Sequence, residues 1–336
     1  MDIQTIPGDY ILSILDAAES KGLTRQRLLD RAGIPAEILT SEKSRVPAHN
    51  FRLLAAIISK KLDDEAIGFF ERPIKIGTFA LYCRSCIHCT TLEKLLQRTI
   101  EFYHIVYDDF GFVLRIEGDF AHLELSTGEG LNDPNNYMTL SLMGLAHRTY
   151  SWFIDQRIVL ENTKFQHQRP PHADDYNYLF SCPVEFSSTK NALVFHKSYL
   201  KKTIAQNETS LTSMLKSEAI ELLNLPHNEN SLVTKVHQAI NNLHYDQFPE
   251  LEEISKQLLL TSTTLRRRLK SEGSSYQQIK DDIRRDQAIY LLSRGQQSLE
   301  EIAIKVGFSE PTSFFRAFKR WTGVTPRAYL TETKGN

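Results

Sequence analysis

Apolar positions in the C-terminal third of the chain fall into one pattern written twice. Ile254, Leu258 and Leu260 precede the pair Leu265 and Leu269, and Ile302, Val306 and Phe308 precede the pair Phe314 and Phe318. In each copy an i, i+4 apolar pair on a second helix faces apolar residues of a first, which predicts two helix-turn-helix units, Leu251 to Gly273 and Leu299 to Gly323. Start and stop signals agree with this. Thr261 and Ser309 are candidate caps for the second helices, Pro311 suits a first turn, and Ser298 with Glu301 makes a capping box. Gly323 followed by Pro326 ends the last helix. Between the units, Ser275 with Gln278 opens a connector helix that runs to about Arg294 and stops at Gly295, with Tyr276, Ile279, Ile283 and Leu291 along its apolar side. At about 1.5 Å per residue it spans about 30 Å.

The polar faces repeat as well. Advancing 100° per residue from Leu265, the residues Thr263, Arg267 and Lys270 point away from the core, and Thr312, Arg316 and Lys319 occupy the same angles relative to Phe314. A small core has no use for such a stripe. Double-stranded DNA does: arginine offers a bidentate fork to guanine, threonine touches base edges or thymine methyls, and lysine suits phosphates. For one copy, a solvated helix face explains the charge equally well; recurrence at matched angles favours DNA. The connector length is close to one B-DNA turn of about 34 Å, so two recognition helices would reach successive major grooves.

The front two thirds mixes periodicities and reads as α+β. Tyr10 to Ser20, Pro47 to Leu62, Thr91 to Tyr103 and Met138 to Ile154 have helical spacing. Phe112 to Ile116 and Ala121 to Leu125 alternate around Glu117-Gly118-Asp119 as a hairpin, and Ile158 to Gln166 and Ala192 to His196 are further strands. A helix near Ser210 to Asn224 and a polar joint, Pro226 to Ser231, lead into the C-terminal part. The helix pair in Thr24 to Leu39 has outward residues of mixed sign and is not read as a third DNA-binding unit.

The segments ISKQLLLTSTTLRRRLKSEG and IAIKVGFSEPTSFFRAFKRWTGVTP, with the connector between them, resemble the AraC/XylS regulators. The run from Ala303 through Gly307, Phe308, Phe314, Arg316, Phe318, Lys319 and Gly323 to Pro326 carries the family pattern. The resemblance places base contacts on Thr263, Arg266 and Arg267 in the first unit and on Thr312, Phe315 and Arg316 in the second; Lys270 and Lys319 join them by angle alone. Two departures stand in the first unit. Ser255 replaces the usual alanine, and Leu259 replaces the usual turn glycine, which asks a leucine to tolerate a left-handed backbone at about 1 kcal/mol. Ser44-Arg45-Val46-Pro47, Leu92 to Tyr103 and Leu179 to Val184 resemble the effector-sensing domain of one branch, the arabinose-binding-domain-like one.

The resemblance therefore implies an α+β N-terminal sensor and dimerisation domain over 1–205, a linker helix and joint over 206–231, and an all-α DNA-binding domain over 232–336. It implies a transcription regulator, more often an activator than a repressor. The partners expected are double-stranded promoter DNA, a small-molecule effector of unknown identity, RNA polymerase and a second copy of the chain. A constitutive or architectural DNA binder whose front domain only dimerises is the alternative reading. An enzyme fused to a DNA reader would need a pocket with convergent ionisable groups.

At 336 residues the chain is long for one domain and comfortable for two. Its net charge of −1 is uninformative until divided: residues 231–336 carry 16 Lys plus Arg against 12 Asp plus Glu, a net of +4, and residues 1–230 carry 24 against 29, a net of −5. That asymmetry suits a nucleic-acid module on an acidic sensor. No leader pattern and no apolar run of membrane-spanning length is seen, so a cytoplasmic protein is expected. Four cysteines make no secreted disulfide framework. Cys83, Cys86 and Cys89 have the spacing of an iron–sulfur run, with Cys182-Pro183 and His88 nearby, but helical spacing spreads them over about 120° and they read as buried thiols. No zinc-enzyme histidine pair, phosphate-binding glycine loop or nucleophile elbow is present. No enzyme activity, metal or cofactor is assigned. Tyr137, Tyr150, Trp152 and Phe153 could line a pocket, yet aromatics at helical spacing are more often core, and no ligand residues are named.

Overall fold

The computed structural model describes residues 5–330 except 172, 181, 217–231, 242–247 and 273. By packing, the chain divides into two compact units: one joins residues 1–57 to 228–336, and the other comprises 58–227. Residues 5–57, grouped with the sensing domain on sequence, thus pack with the C-terminal helices.

In the first unit, strand β1 (Thr5–Pro7) pairs antiparallel with β2 (Arg45–Pro47). Between them run helices Gly8–Ser20 and Arg25–Ala32 and a short 3-10 helix, Ala36–Thr40. The strand pair is tied to the C-terminal helices by named bonds. Thr5 Oγ1 donates to Asp286 Oδ1 at 2.7 Å and accepts from Arg45 Nε at 2.8 Å. Tyr329 OH donates to the Arg45 carbonyl at 2.9 Å and accepts from its N–H at 3.2 Å.

The C-terminal helices are Leu232–Asn241, Leu251–Gln257, Ser262–Ser271, the connector Tyr276–Arg294, Leu299–Lys305 and Pro311–Thr322. This is the expected all-α pair of helix-turn-helix units with a connector. Leu232, Val236 and Ile240 close the first core against Ile254, Leu265, Leu269, Ile279 and Ile283. Phe314 and Phe318 are fully buried in the second, their rings edge-on at 5.6 Å.

The second unit is α+β, as expected. Strands β3 (Phe110–Glu117), β4 (Phe120–Thr127), β5 (Leu160–Lys164), β6 (Val184–Glu185) and β7 (Asn191–His196) form one sheet in the order β3-β4-β7-β5-β6. All neighbours are antiparallel except β5 and β6. The hairpin is tighter than expected: Glu117 pairs with Phe120, so only Gly118 and Asp119 turn, with Gly118 at φ 61°. Ala192 to Phe195 of β7 are buried in succession, as a central strand covered on both faces requires. Helices Thr78–Cys86, Leu92–Val106, Tyr137–Phe153 and Ala173–Phe180 belong to the same unit. A helix spans Glu208–Lys216; the rest of the expected Ser210 to Asn224 helix and the joint Pro226 to Ser231 lie outside the described residues.

Candidate nucleic-acid interface

The two turns are built alike. In the first, Leu258 N donates to Ile254 O at 3.0 Å and Leu260 N to Ser255 O at 2.8 Å; in the second, Val306 N donates to Ile302 O at 3.0 Å and Phe308 N to Ala303 O at 2.9 Å. The residue at the bend is left-handed in both, Leu259 at φ 56° and Gly307 at φ 83°. Leucine does adopt the conformation that glycine usually supplies, with its side chain 92% exposed. Ser255, in the alanine position, is buried with its hydroxyl donating to Leu251 O at 2.7 Å, which offsets the cost of burying it.

Each first helix opens with a capping box, Glu250 with Glu253 and Ser298 with Glu301. The Glu250 box is absent from the sequence reading, because a glutamate in the cap position is a weaker signal than serine or threonine. Thr261 caps the first recognition helix, accepting from Thr264 N at 3.2 Å. Ser309 does not cap the second: the N-cap is Glu310, with Pro311 at the helix start. Proline holds its own φ and presses the preceding residue into extended backbone, so the boundary moves next to it. The connector begins at its expected cap, Ser275, and ends at left-handed Gly295; Gly323 ends the last helix at φ 78°.

With Leu265, Leu269, Phe314 and Phe318 buried, the opposite faces are free. Thr263, Arg266, Arg267 and Lys270 are exposed on one recognition helix, and Thr312, Arg316 and Lys319 on the other; Phe315 is half-buried, its ring 5.8 Å from that of Phe314. Among the described residues, no salt bridge engages Arg266, Arg267, Lys270, Arg316 or Lys319, whereas Arg285 of the connector pairs with Asp282 at 2.7 Å and Asp286 at 2.8 Å. Arg285 of the connector is therefore neutralised, while these five basic groups of the recognition helices are not.

The cysteines occupy a different setting. Cys83 and Cys86 are buried in helix Thr78–Cys86, and burial pushes both thiols up, that of Cys86 to about 11; Cys89 is raised by the same cause. Among the described residues, no group of three or more His, Cys, Asp or Glu is placed to hold a metal ion. His88 turns instead to Glu208, at 3.3 Å. Tyr137, Tyr150 and Phe153 are buried in the core of residues 58–227, and Trp152 is half-buried. An open depression of about 620 Å³ in this unit is lined by Ile87, His88 and Gln206 to Thr209. No helix among the described residues is long and apolar enough to cross a membrane.

Residues 22–204 match the family model described as the arabinose-binding domain of AraC transcription regulator, N-terminal, and residues 254–332 match a helix-turn-helix domain model. The chain is similar along nearly its whole length to an ornithine utilization regulator of Pseudomonas aeruginosa, 25% identical over 97% of this chain and 96% of that one. The regulator VqsM of the same organism is 32% identical over 46% of this chain and 49% of its own. The virulence regulon transcriptional activator VirF of Shigella flexneri is 37% identical over 24% of this chain and 30% of its own.

Proposed function

The chain belongs to the AraC family of transcription regulators, and from that membership we propose a cytoplasmic activator whose two recognition helices engage successive major grooves under control of a small-molecule effector. That it is a DNA-binding regulator with a ligand-binding N-terminal domain, and not an enzyme, follows from the matched domains. The observation that carries the finer reading is the duplicated, unneutralised stripe: Thr263, Arg267 and Lys270 on one helix, Thr312, Arg316 and Lys319 on the other. Arg267 and Arg316 read bases, Lys270 and Lys319 hold phosphates, and Arg266 and Phe315 add contacts at the edge of each face. The effector acts by population shift, binding better to the arrangement or dimer in which both units engage DNA, and RNA polymerase is recruited to the bound protein.

Two measurements test this. Arg316→Ala is expected to cost about 1 to 3 kcal/mol of DNA binding and to relax preference at one base position, and Lys319→Ala to weaken all sequences alike. Equal loss and equal selectivity in the two variants would remove the assigned roles. A thermal-shift panel of metabolites tests effector control, since a true effector raises the melting point as it exceeds its dissociation constant. The similarity to an ornithine utilization regulator puts amino acids first in that panel. A panel without any shift would favour the constitutive binder.

A further inference from the structure

A groove of about 320 Å³ lies between the connector and the second recognition helix, with Gln277, Asp281, Arg284, Arg316, Arg320 and Trp321 in its walls. Its charge is unbalanced. Three guanidinium groups share one carboxylate: Asp281 meets Arg320 at 3.5 Å and accepts from Gln277 Nε2 at 3.0 Å. Arg316 and Arg320 stand one turn apart on the same helix, a like-charge pair that is unfavourable unless an anion lies between or beside them.

The inner wall is prepared for such an anion. Arg284 is stacked, with its guanidinium 4.4 Å from the Phe248 ring centre and 5.6 Å from that of Phe308. The two rings fix its plane and strip water from it, and burial lowers its pKa. Arg284 Nε and Trp321 Nε1 are both buried donors without an acceptor. A weakly hydrated, oriented guanidinium is the group best suited to a phosphate oxyanion. Arg316 belongs both to this groove and to the outward face of the recognition helix, so the groove opens where a duplex would lie.

We infer that this groove seats one backbone phosphate of bound DNA, held by Arg284 and Arg320 and flanked by Gln277, and thereby sets the depth and register of the second recognition helix. The inference rests on the DNA-reading role proposed above. The seat is sequence-independent, because a phosphate carries no base information, and the residues that hold it lie outside the base-contacting stripe.

The test uses the full chain and a duplex selected from a random library by the wild-type protein. Gln277 and Arg320 are exposed, so Gln277→Glu and Arg320→Gln change charge without disturbing the core. Binding is measured by fluorescence anisotropy over a series of KCl concentrations. Each variant is expected to flatten the slope of log K against log salt by about 0.9, the value for one lost phosphate contact, with base preference unchanged. A methylphosphonate walk along the duplex should then find one position where neutralisation weakens the wild type about tenfold and leaves Gln277→Glu no weaker than before, as expected for one charge-assisted contact. Wild-type slopes in both variants, or no such position, would overturn the seat. If in addition Arg316→Ala still relaxes base preference, the recognition reading stands without it; if the wild type selects no duplex, both fall.

Discussion

Replacing Leu259 by glycine should stabilise the first helix-turn-helix unit, although glycine normally weakens a fold. Leu259 sits at φ 56° in the turn, where an L residue brings its Cβ against the following carbonyl and pays about 1 to 2 kcal/mol. Its side chain is 92% exposed, so truncation gives up almost no buried surface. Against the relief stands the greater freedom that glycine loses on folding, about 0.5 to 1 kcal/mol. The balance is a gain of about 0.5 to 1 kcal/mol, which slows local opening about two- to fivefold. Hydrogen exchange of the Leu265 and Leu269 amides reads this directly, because those two residues form the inner face of the helix that follows the turn. Leu259→Val should move exchange the other way, since β-branching crowds the left-handed region further. Faster exchange in the glycine variant, or valine indistinguishable from leucine, would refute the claim that the bend is strained.

Phe318→Ala should cost about 3 to 5 kcal/mol, because the side chain is fully buried between Phe314 and Tyr329, with ring centres at 5.6 and 5.3 Å; urea unfolding would measure it, and a loss under 1 kcal/mol would mean the second core is not organised around this ring. His147 is buried with Nε2 donating to Ile158 O at 2.8 Å, and burial, helped by Arg157 and Arg148, lowers its pKa to about 3. The folded state therefore holds it neutral, while the unfolded chain takes up a proton below about pH 6.5, so its contribution is complete above pH 6.5 and falls by at most about 1.4 kcal/mol per pH unit as pH drops towards 3. His147→Gln should flatten the pH dependence of unfolding over that window, and an unchanged profile would sink the assignment. Iodoacetamide at neutral pH should label denatured chain at Cys83 and Cys86 far faster than folded chain, because burial holds both thiols protonated; equal rates, followed by peptide mass spectrometry, would contradict it.

What was legible in the sequence is what repeats within a few residues. The pairs Leu265 with Leu269 and Phe314 with Phe318 define a buried face by spacing alone, and the outward faces follow from it at 100° per residue. Even the left-handed bend at Leu259 could be anticipated, since the matching position in the second unit is Gly307. Helix ends were readable where a side chain does the capping, as at Ser275, Thr261 and Ser298. They were not where backbone restriction by Pro311 sets the boundary at Glu310 instead of Ser309. The hairpin strands were found but shortened, because Phe110 and Phe120 lie next to turn residues and local alternation fades there.

The packing of residues 5–57 had no such signature. Thr5 reaches Asp286 across 281 positions, and Arg45 reaches Tyr329 across 284. Each pairing joins residues that are ordinary for their own segments: a threonine in a three-residue strand, an acid on an amphipathic helix, a tyrosine in a short 3-10 turn. No periodicity connects them, so nothing local distinguishes a strand pair that completes a sensor from one that braces a DNA reader. The same holds for Arg284, which lies on the connector as one more solvated-looking base in the run Asp281 to Asp286. Only the folded chain brings Phe248 and Phe308 to either side of it. Both devices act on the connector, the one element that spans the two helix-turn-helix units.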